Sequence, residues 1–440
     1  MQKTRIDVDT LSSRLMRGVA WSAAGIVVSR LSMLLSGVVA ARHMSREGFG
    51  SLGIIQSTVA MFQVVASLSL GAAATKFVAE SRVLDRDRAG RRLALCLALG
   101  GIGGVVSTFA LAAFSGVLSE HALHQPTLAA PLVYTAPMLF FVALAGVVLG
   151  ALAGFESYRA TAAAHTAGGV AGILVTLIAV PRFGLNGAIA ALLTMTVVQG
   201  LVGAMSLAHV LRDGRISLSL KGAWSERFAV LSFSIPATAA GMVSTPALWW
   251  SHALLVRSPG GVEQMAILGA ANHWFAALSF VPLIVAQPLV SVMAERLSAG
   301  DTQAVRKVLR VAVQSAIWIA VPVVLLLIIL SPWVMALYGR GYREGWPVLA
   351  ILAVAAGLFI VQSPVGQLVI AAGRLWIGLA MNLAWGALLV AGSAVMLQQG
   401  AVGIASARAL AYLAHGAWSL VVAGVILRGF QKAGETHASR

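Results

Sequence analysis

The chain has 440 residues, of which 59% are hydrophobic and only 10% charged, against roughly 25% charged residues in a soluble domain. That composition excludes a soluble globular enzyme and leaves no stretch large enough for a soluble domain. The formal net charge of +16 would suggest a nucleic-acid partner in a soluble protein, but here its placement along the chain gives it another meaning.

Apolar runs long enough to cross a bilayer predict spans at 18–41, 48–72, 93–118, 131–153, 160–180, 187–208, 229–254, 265–290, 309–331, 347–370, 375–397 and 403–427. The fold class is therefore all-α: a polytopic membrane protein of about 12 transmembrane helices. The first run is too long for a signal-peptide core and has no convincing cleavage site, so it is expected to be a retained span. With the N-terminus inside, the outer segments hold only Arg42, Arg46, Arg182, Arg257, Arg340 and Arg343, and nearly all other Lys and Arg fall on the inner side. This follows the positive-inside rule and predicts that both termini are cytoplasmic. Basic charge here reports topology, and no nucleic-acid partner is expected. The single cysteine, Cys96, excludes an intramolecular disulfide and any Cys-based metal site, and is expected to pack as a small apolar residue.

In the first span Arg30 is the lone charge between Gly18 and Ala41, about twelve residues from either end. A guanidinium at that depth is costly and usually faces a polar cavity and carries function. No Asp or Glu lies near the centre of any apolar run, so the expected partner is an anionic substrate. Ser22, Gly25, Ser29, Ser32 and Ser36 share roughly one face of this helix, the pattern of a small-residue packing seam. Arg30 lies about 120° from the centre of that face, on the expected cavity flank. In the second span Gln56 and Gln63 are seven apart and share a face, which makes them cavity candidates, as are Gln362 and Gln367 in the tenth. The Arg86–Arg92 run is expected to be a solvated inner loop. Gly146, Gly150 and Gly154 form a GxxxG repeat suited to close helix packing.

The seventh span carries Pro236 and Pro246, expected to interrupt the helix and to act as hinges. Interrupted helices often mark transporter sites. Near its outer end lie Trp249 and Trp250, read as an interfacial belt, and Ser251 and His252. The eighth span adds Asn272, His273 and Trp274, then Pro282, Gln287 and Pro288. Trp and Asn suit a sugar's apolar face and hydroxyls, while His252 and His273 are candidates to contact phosphate. Arg408, near the outer end of the last span, is expected to snorkel.

Two outer loops match two others at one displacement. Glu47, Leu52, Gly53 and Gln56 correspond to Glu263, Leu268, Gly269 and Asn272, and Gly184 and Gly187 correspond to Gly400 and Gly403. The chain is accordingly expected to comprise a six-helix N-terminal half (1–208), a cytoplasmic connecting loop (209–228) and a six-helix C-terminal half (229–440) with a short cytoplasmic tail. The halves would be pseudo-symmetric about an axis along the membrane normal, with the substrate path between them. No Walker A, HExxH or dinucleotide fingerprint is present, so neither an enzyme nor a metal or other cofactor is expected.

Arg17-Gly18-Val19-Ala20-Trp21-Ser22, Ser29-Arg30, Ala41-Arg42 and Arg46-Glu47-Gly48-Phe49-Gly50-Ser51-Leu52 resemble the polysaccharide (O-antigen/exopolysaccharide) flippase family of the multidrug/oligosaccharidyl-lipid/polysaccharide exporter superfamily. Phe233-Ser234-Ile235-Pro236 and Ala371-Ala372-Gly373-Arg374 extend the resemblance through the second half. It implies translocation of an undecaprenyl-diphosphate-linked oligosaccharide across the bacterial inner membrane by alternating access, with the lipid-linked substrate and membrane lipids as partners. Polysaccharide polymerase and glycosyltransferase proteins are further candidate partners. Ser29-Arg30 and Arg42 have the spacing of a Ser-Arg and a later Arg in lipid II flippases, where the Arg lines a cationic cavity. Those flippases have two more spans than this chain. Many family members carry Asp-Arg at the outer end of the seventh helix, where this chain has Ser251-His252. That departure argues against cation coupling through an acid there. Two rivals make different predictions. A small-molecule exporter of the multidrug or major-facilitator type would need membrane carboxylates or a loop motif that Asp85–Arg92 matches poorly, and a non-transporting scaffold for polysaccharide assembly would tolerate cavity substitutions.

Overall fold

The computed structural model describes residues 8–82 and 85–438, and within these leaves the side chains of 8–24, 240, 281, 283–285, 287–288 and 431–438 undescribed. Ser22, Gln287 and Pro288 therefore fall outside the described side chains. The described chain is helical from end to end: α1 (Val8–His43), α2 (Arg46–Ser67), α3 (Leu70–Ser81), α4 (Arg86–Val117), α5 (Ala129–Thr135), α6 (Met138–Gly154), α7 (Tyr158–Asp213), α8 (Arg227–Arg257), α9 (Gly261–Leu278), α10 (Val281–Ser298), α11 (Thr302–Ala336), α12 (Trp346–Ala371), α13 (Leu375–Val395) and α14 (Gly400–Ala438). Ten helical stretches among the described residues are long and apolar enough to cross a membrane. Bulky apolar side chains such as Phe109, Trp318 and Val395 are well exposed. That would be an aggregation hazard in water but is the expected lipid-facing surface of a multi-pass membrane protein.

At 1.5 Å per residue, α7 is far too long for one crossing. It breaks at Gly184, whose backbone (φ 52°, ψ −123°) is non-helical. A Cβ on Gly187 would collide with the Ala179 carbonyl, so the chain doubles back there. Gly400 has nearly the same conformation (φ 59°, ψ −134°), and a Cβ on Gly403 would meet the Met396 carbonyl. Both pairs are 216 residues apart, so the repeat read in the sequence marks the same turn twice.

The chain divides into two compact units. The first comprises residues up to His43, Thr58–His121 and Gln125–Thr238; the second comprises Met44–Ser57, Ala122–His124 and everything from Ala239 on. The segment expected to be a separate connecting loop, 209–228, belongs to the first unit, and the division falls inside α8. In the first unit α6 packs on α3, α4 and α7, and α7 packs on α1. Its core gathers Leu70, Phe77, Leu93, Cys96, Val147, Leu152 and Leu207, with Cys96 buried as a small apolar residue. In the second unit α12 packs on α9, α10, α11 and α14, and α13 packs on α14, around a core that includes Met293, Val305, Leu368, Met381 and Ile426.

Two expectations change. Helix α8 runs unbroken through Pro236 and Pro246. Each proline removes one backbone hydrogen bond, and the intact turns on either side hold the helix. The breaks fall instead at Leu68–Ser69, both with positive φ, and between α9 and α10. Nor are Arg86–Arg92 a solvated loop: they are the first turns of α4, which Asp85 caps by accepting from the Arg88 backbone N–H at 2.8 Å. Arg92 is buried there, donating through Nε to Glu226 at 2.8 Å and through Nη1 to Ser81 at 3.2 Å. Arg88 Nε donates to the other Glu226 oxygen at 2.9 Å. The carboxylate of the segment before α8 draws Arg92 inward, while Arg88 stays exposed.

The glycine repeat performs as close packing at two of its three positions. A Cβ on Gly150 would collide with the Gly71 backbone and one on Gly154 would lie 2.8 Å from the Thr75 carbonyl, whereas one on Gly146 would meet nothing. Thr75 Oγ1 seals the contact by donating to the Gly150 carbonyl at 2.9 Å. Gly150→Leu is therefore expected to destabilise the protein by about 1–3 kcal/mol and Gly146→Ala to leave it unchanged, as read by thermal unfolding of the purified protein in detergent.

Candidate functional site

In the first unit, α1 and α7 approach at the level of their backbones because small residues meet. A Cβ on Gly25 would lie 2.5 Å from Ala162 Cα, and one on Gly169 would lie 2.8 Å from Ser32 Oγ and 3.5 Å from Ser29 Cα. The seam expected from Gly25, Ser29 and Ser32 is thus the α1–α7 contact. Arg30 sits on its flank, half-buried, and makes no hydrogen bond or ion pair among the described residues. Across from it on α7 is His165, within reach of the Arg30 charge, with a buried Nδ1 that also lacks a partner.

The other predicted residues separate. Gln63 and Pro236 belong to the first unit, and Gln56, Pro246, His252, Asn272, His273 and Trp274 to the second. Gln56 and Gln63 are half-buried; although they share one helix, they are not in one unit. Asn272 and His273, one residue apart on α9, take up different company. His273 enters an aromatic cluster with Phe49 (ring centroids 6.1 Å apart) and Tyr338 (6.4 Å). Trp274 lies beside Tyr338 without a well-formed hydrogen bond to it. Neither residue therefore joins Asn272. Trp249, expected at an interfacial belt, is buried, while its neighbour Trp250 is exposed.

Asn272 leads to the residue whose placement differs most from expectation. Arg408 does not snorkel: it is 7% exposed, donates through Nη1 to Asn272 Oδ1 at 2.8 Å, and lies 3.6 Å over the Phe275 ring and 6.0 Å from that of Tyr412. Trp385 and Phe359 complete the aromatic surround at 5.1 and 5.8 Å from Tyr412. Two π faces and an amide oxygen compensate the cation, so it can stay in the bundle. His252 is within range of the same charge, and its Nδ1 is 2.8 Å from Ser57 Oγ. Further along α14, His415 Nδ1 donates to Gln362 Oε1 at 2.7 Å. Arg408, Tyr412, His415 and Ser419 follow the i, i+4, i+7, i+11 spacing of one helix face, a signal present in the sequence. His165, the lone histidine of the predicted span 160–180, offered none.

The two units hold different electrostatic solutions. The second carries a buried arginine met by an amide oxygen and two ring faces, with its Nε left without a partner among the described residues. The first carries an arginine and a histidine that the described residues leave unsatisfied. Residues 15–295 match the family described as polysaccharide biosynthesis protein. The chain belongs to that family. It is 25% identical over 206 residues to the EPS I polysaccharide export inner membrane protein EpsE of Ralstonia nicotianae, covering 45% of this chain and 47% of that one. The EpsE of Ralstonia solanacearum is 24% identical over 227 residues, covering 50% and 52%. The chain thus spans about half the length of the curated relatives it matches. An inward-facing multidrug resistance MATE family transporter shares the fold with a TM-score of 0.77 at 16% identity, over 92% of this chain and 99% of that one. The lipid II flippase MurJ in an inward closed conformation gives 0.71 at 12% identity, over 95% and 91%.

Removing one partner of the Arg408–Asn272 contact leaves the other buried and unpaired. Asn272→Ala is expected to cost about 1.5–3 kcal/mol, and Asn272→Leu combined with Arg408→Leu to recover much of it. Thermal unfolding of the single and double variants checks this.

Proposed function

We propose that this family member is a flippase that carries an undecaprenyl-diphosphate-linked oligosaccharide from the cytoplasmic to the periplasmic leaflet of the bacterial inner membrane, by alternating access, for surface polysaccharide assembly. The observation that carries the reading is Arg30: a cation deep in the first membrane-spanning helix, unpaired among the described residues, in a chain whose acids avoid the centres of the apolar runs. A charge so placed is held for a ligand that brings the opposite sign. A lipid diphosphate has that sign and a tail that never leaves the hydrocarbon. Family membership and the polysaccharide-export relatives support the substrate class. The polar and aromatic side chains around Asn272, His252 and Arg408 in the second unit supply groups suited to sugar hydroxyls and ring faces. Moving an anion outward is favoured by an inside-negative potential, which releases about 2.3 kcal/mol per charge per 100 mV, available to drive the step. The chain's own part is to lower the barrier for the headgroup.

Reconstituted vesicles report headgroup exposure on the far leaflet. At equal expression, Arg30→Ala is expected to slow flipping by about tenfold or more, the loss of a charge-assisted contact, and Arg30→Lys to retain part of the rate. Flipping by Arg30→Ala at the wild-type rate would overturn the reading.

A further inference from the structure

Among the described residues, Arg30 and His165 are polar groups left open at the α1–α7 contact. The helices touch at Gly25–Ala162 and again at Gly169–Ser32. Arg30 falls in sequence between the two contact points of α1, and His165 between those of α7. Backbone approach on either side fixes the two side chains relative to each other far more tightly than the ends of two lipid-exposed helices could be. His165 Nδ1 is buried and without a hydrogen-bond partner, and a buried ring nitrogen in that state costs free energy that a partner would return. The nearby guanidinium cannot be that partner, since it offers only donors. A carboxylate would satisfy both groups at once, but the described residues give Arg30 no ion pair. Two adjacent unsatisfied nitrogen groups, one a fixed cation and the other able to donate or take up a proton, match a ligand that is rich in acceptors and negatively charged.

We infer that His165 is the second arm of the headgroup site: Arg30 and His165 together bind a diphosphate, and His165 sets the preference for a diphosphate over a monophosphate. This rests on the flippase reading for the place of Arg30 and adds a binding residue and a selectivity to it. A guanidinium alone attracts any phosphate ester. A second nitrogen held across a fixed helix contact rewards a ligand with oxygens on two phosphorus atoms, which can bridge both groups.

The test uses the full chain in detergent with geranyl diphosphate and geranyl monophosphate as probes. Wild-type protein is expected to bind the diphosphate more tightly. His165→Ala should weaken diphosphate binding about tenfold while moving monophosphate binding much less, so that the preference collapses. His165→Gln, which keeps a donor, should retain most of it. Should His165→Ala fail to fold, the wild-type protein provides the readout: geranyl diphosphate should protect His165 from diethyl pyrocarbonate, measured by peptide mass spectrometry. Unchanged diphosphate binding by His165→Ala, or undiminished modification of His165 in saturating probe, would overturn the inference. The reading beneath it is judged separately. If Arg30→Ala loses diphosphate binding while His165→Ala does not, only the role of His165 falls; if neither variant loses it, both fall.

Discussion

In hydrocarbon there is no solvent to neutralise a charge, so each cation carried into the membrane must be met by something the protein holds or the ligand brings. This chain has few acids with which to meet them, and the ones it has lie toward helix ends. Arg92 shows what happens where an acid is within reach: Glu226 takes both it and Arg88. Arg408 shows the alternative, compensation by ring faces and a neutral amide. Among the described residues Arg30 has neither. The three arginines form a series from paired to unpaired, and Arg30 lies deeper in its predicted span than Arg408 does in its own.

Positioning comes from the smallest residues. Apolar surface does not drive helices together when lipid is equally apolar, so close van der Waals contact has to do it. Gly25 with Ala162, Gly169 with Ser32 and Gly150 with Gly71 are such contacts. The first two also hold Arg30 beside His165. One set of small side chains thus serves both the assembly of the first unit and the geometry of its open polar pair.

The spans were legible because length and hydropathy suffice to define them. Where the helices bend was not. Pro236 and Pro246 announce breaks that the helix absorbs, while Leu68–Ser69 breaks with neither Gly nor Pro to signal it, because surrounding contacts set the backbone there. Depth in the sequence found Arg30 and misread Arg408. Counting from the end of a span cannot reveal that Phe275 and Tyr412 stand ready to receive a guanidinium. Asn272 and His273 are neighbours in sequence, yet a helix turns about 100° between consecutive residues and sends them to different surroundings. His165 became visible only when α7 was laid against α1.

Gly184 and Gly400 share a combination of positive φ and strongly negative ψ that side chains with a Cβ rarely tolerate. Around them the two turns agree at few other residues. A lipid-facing leucine can give way to another apolar residue, but a reversal of this shape strongly favours glycine. The likeness of the two turns is therefore held in backbone angles more firmly than in side chains, and it can be read at Gly184 and Gly400 where the residues around them share little identity.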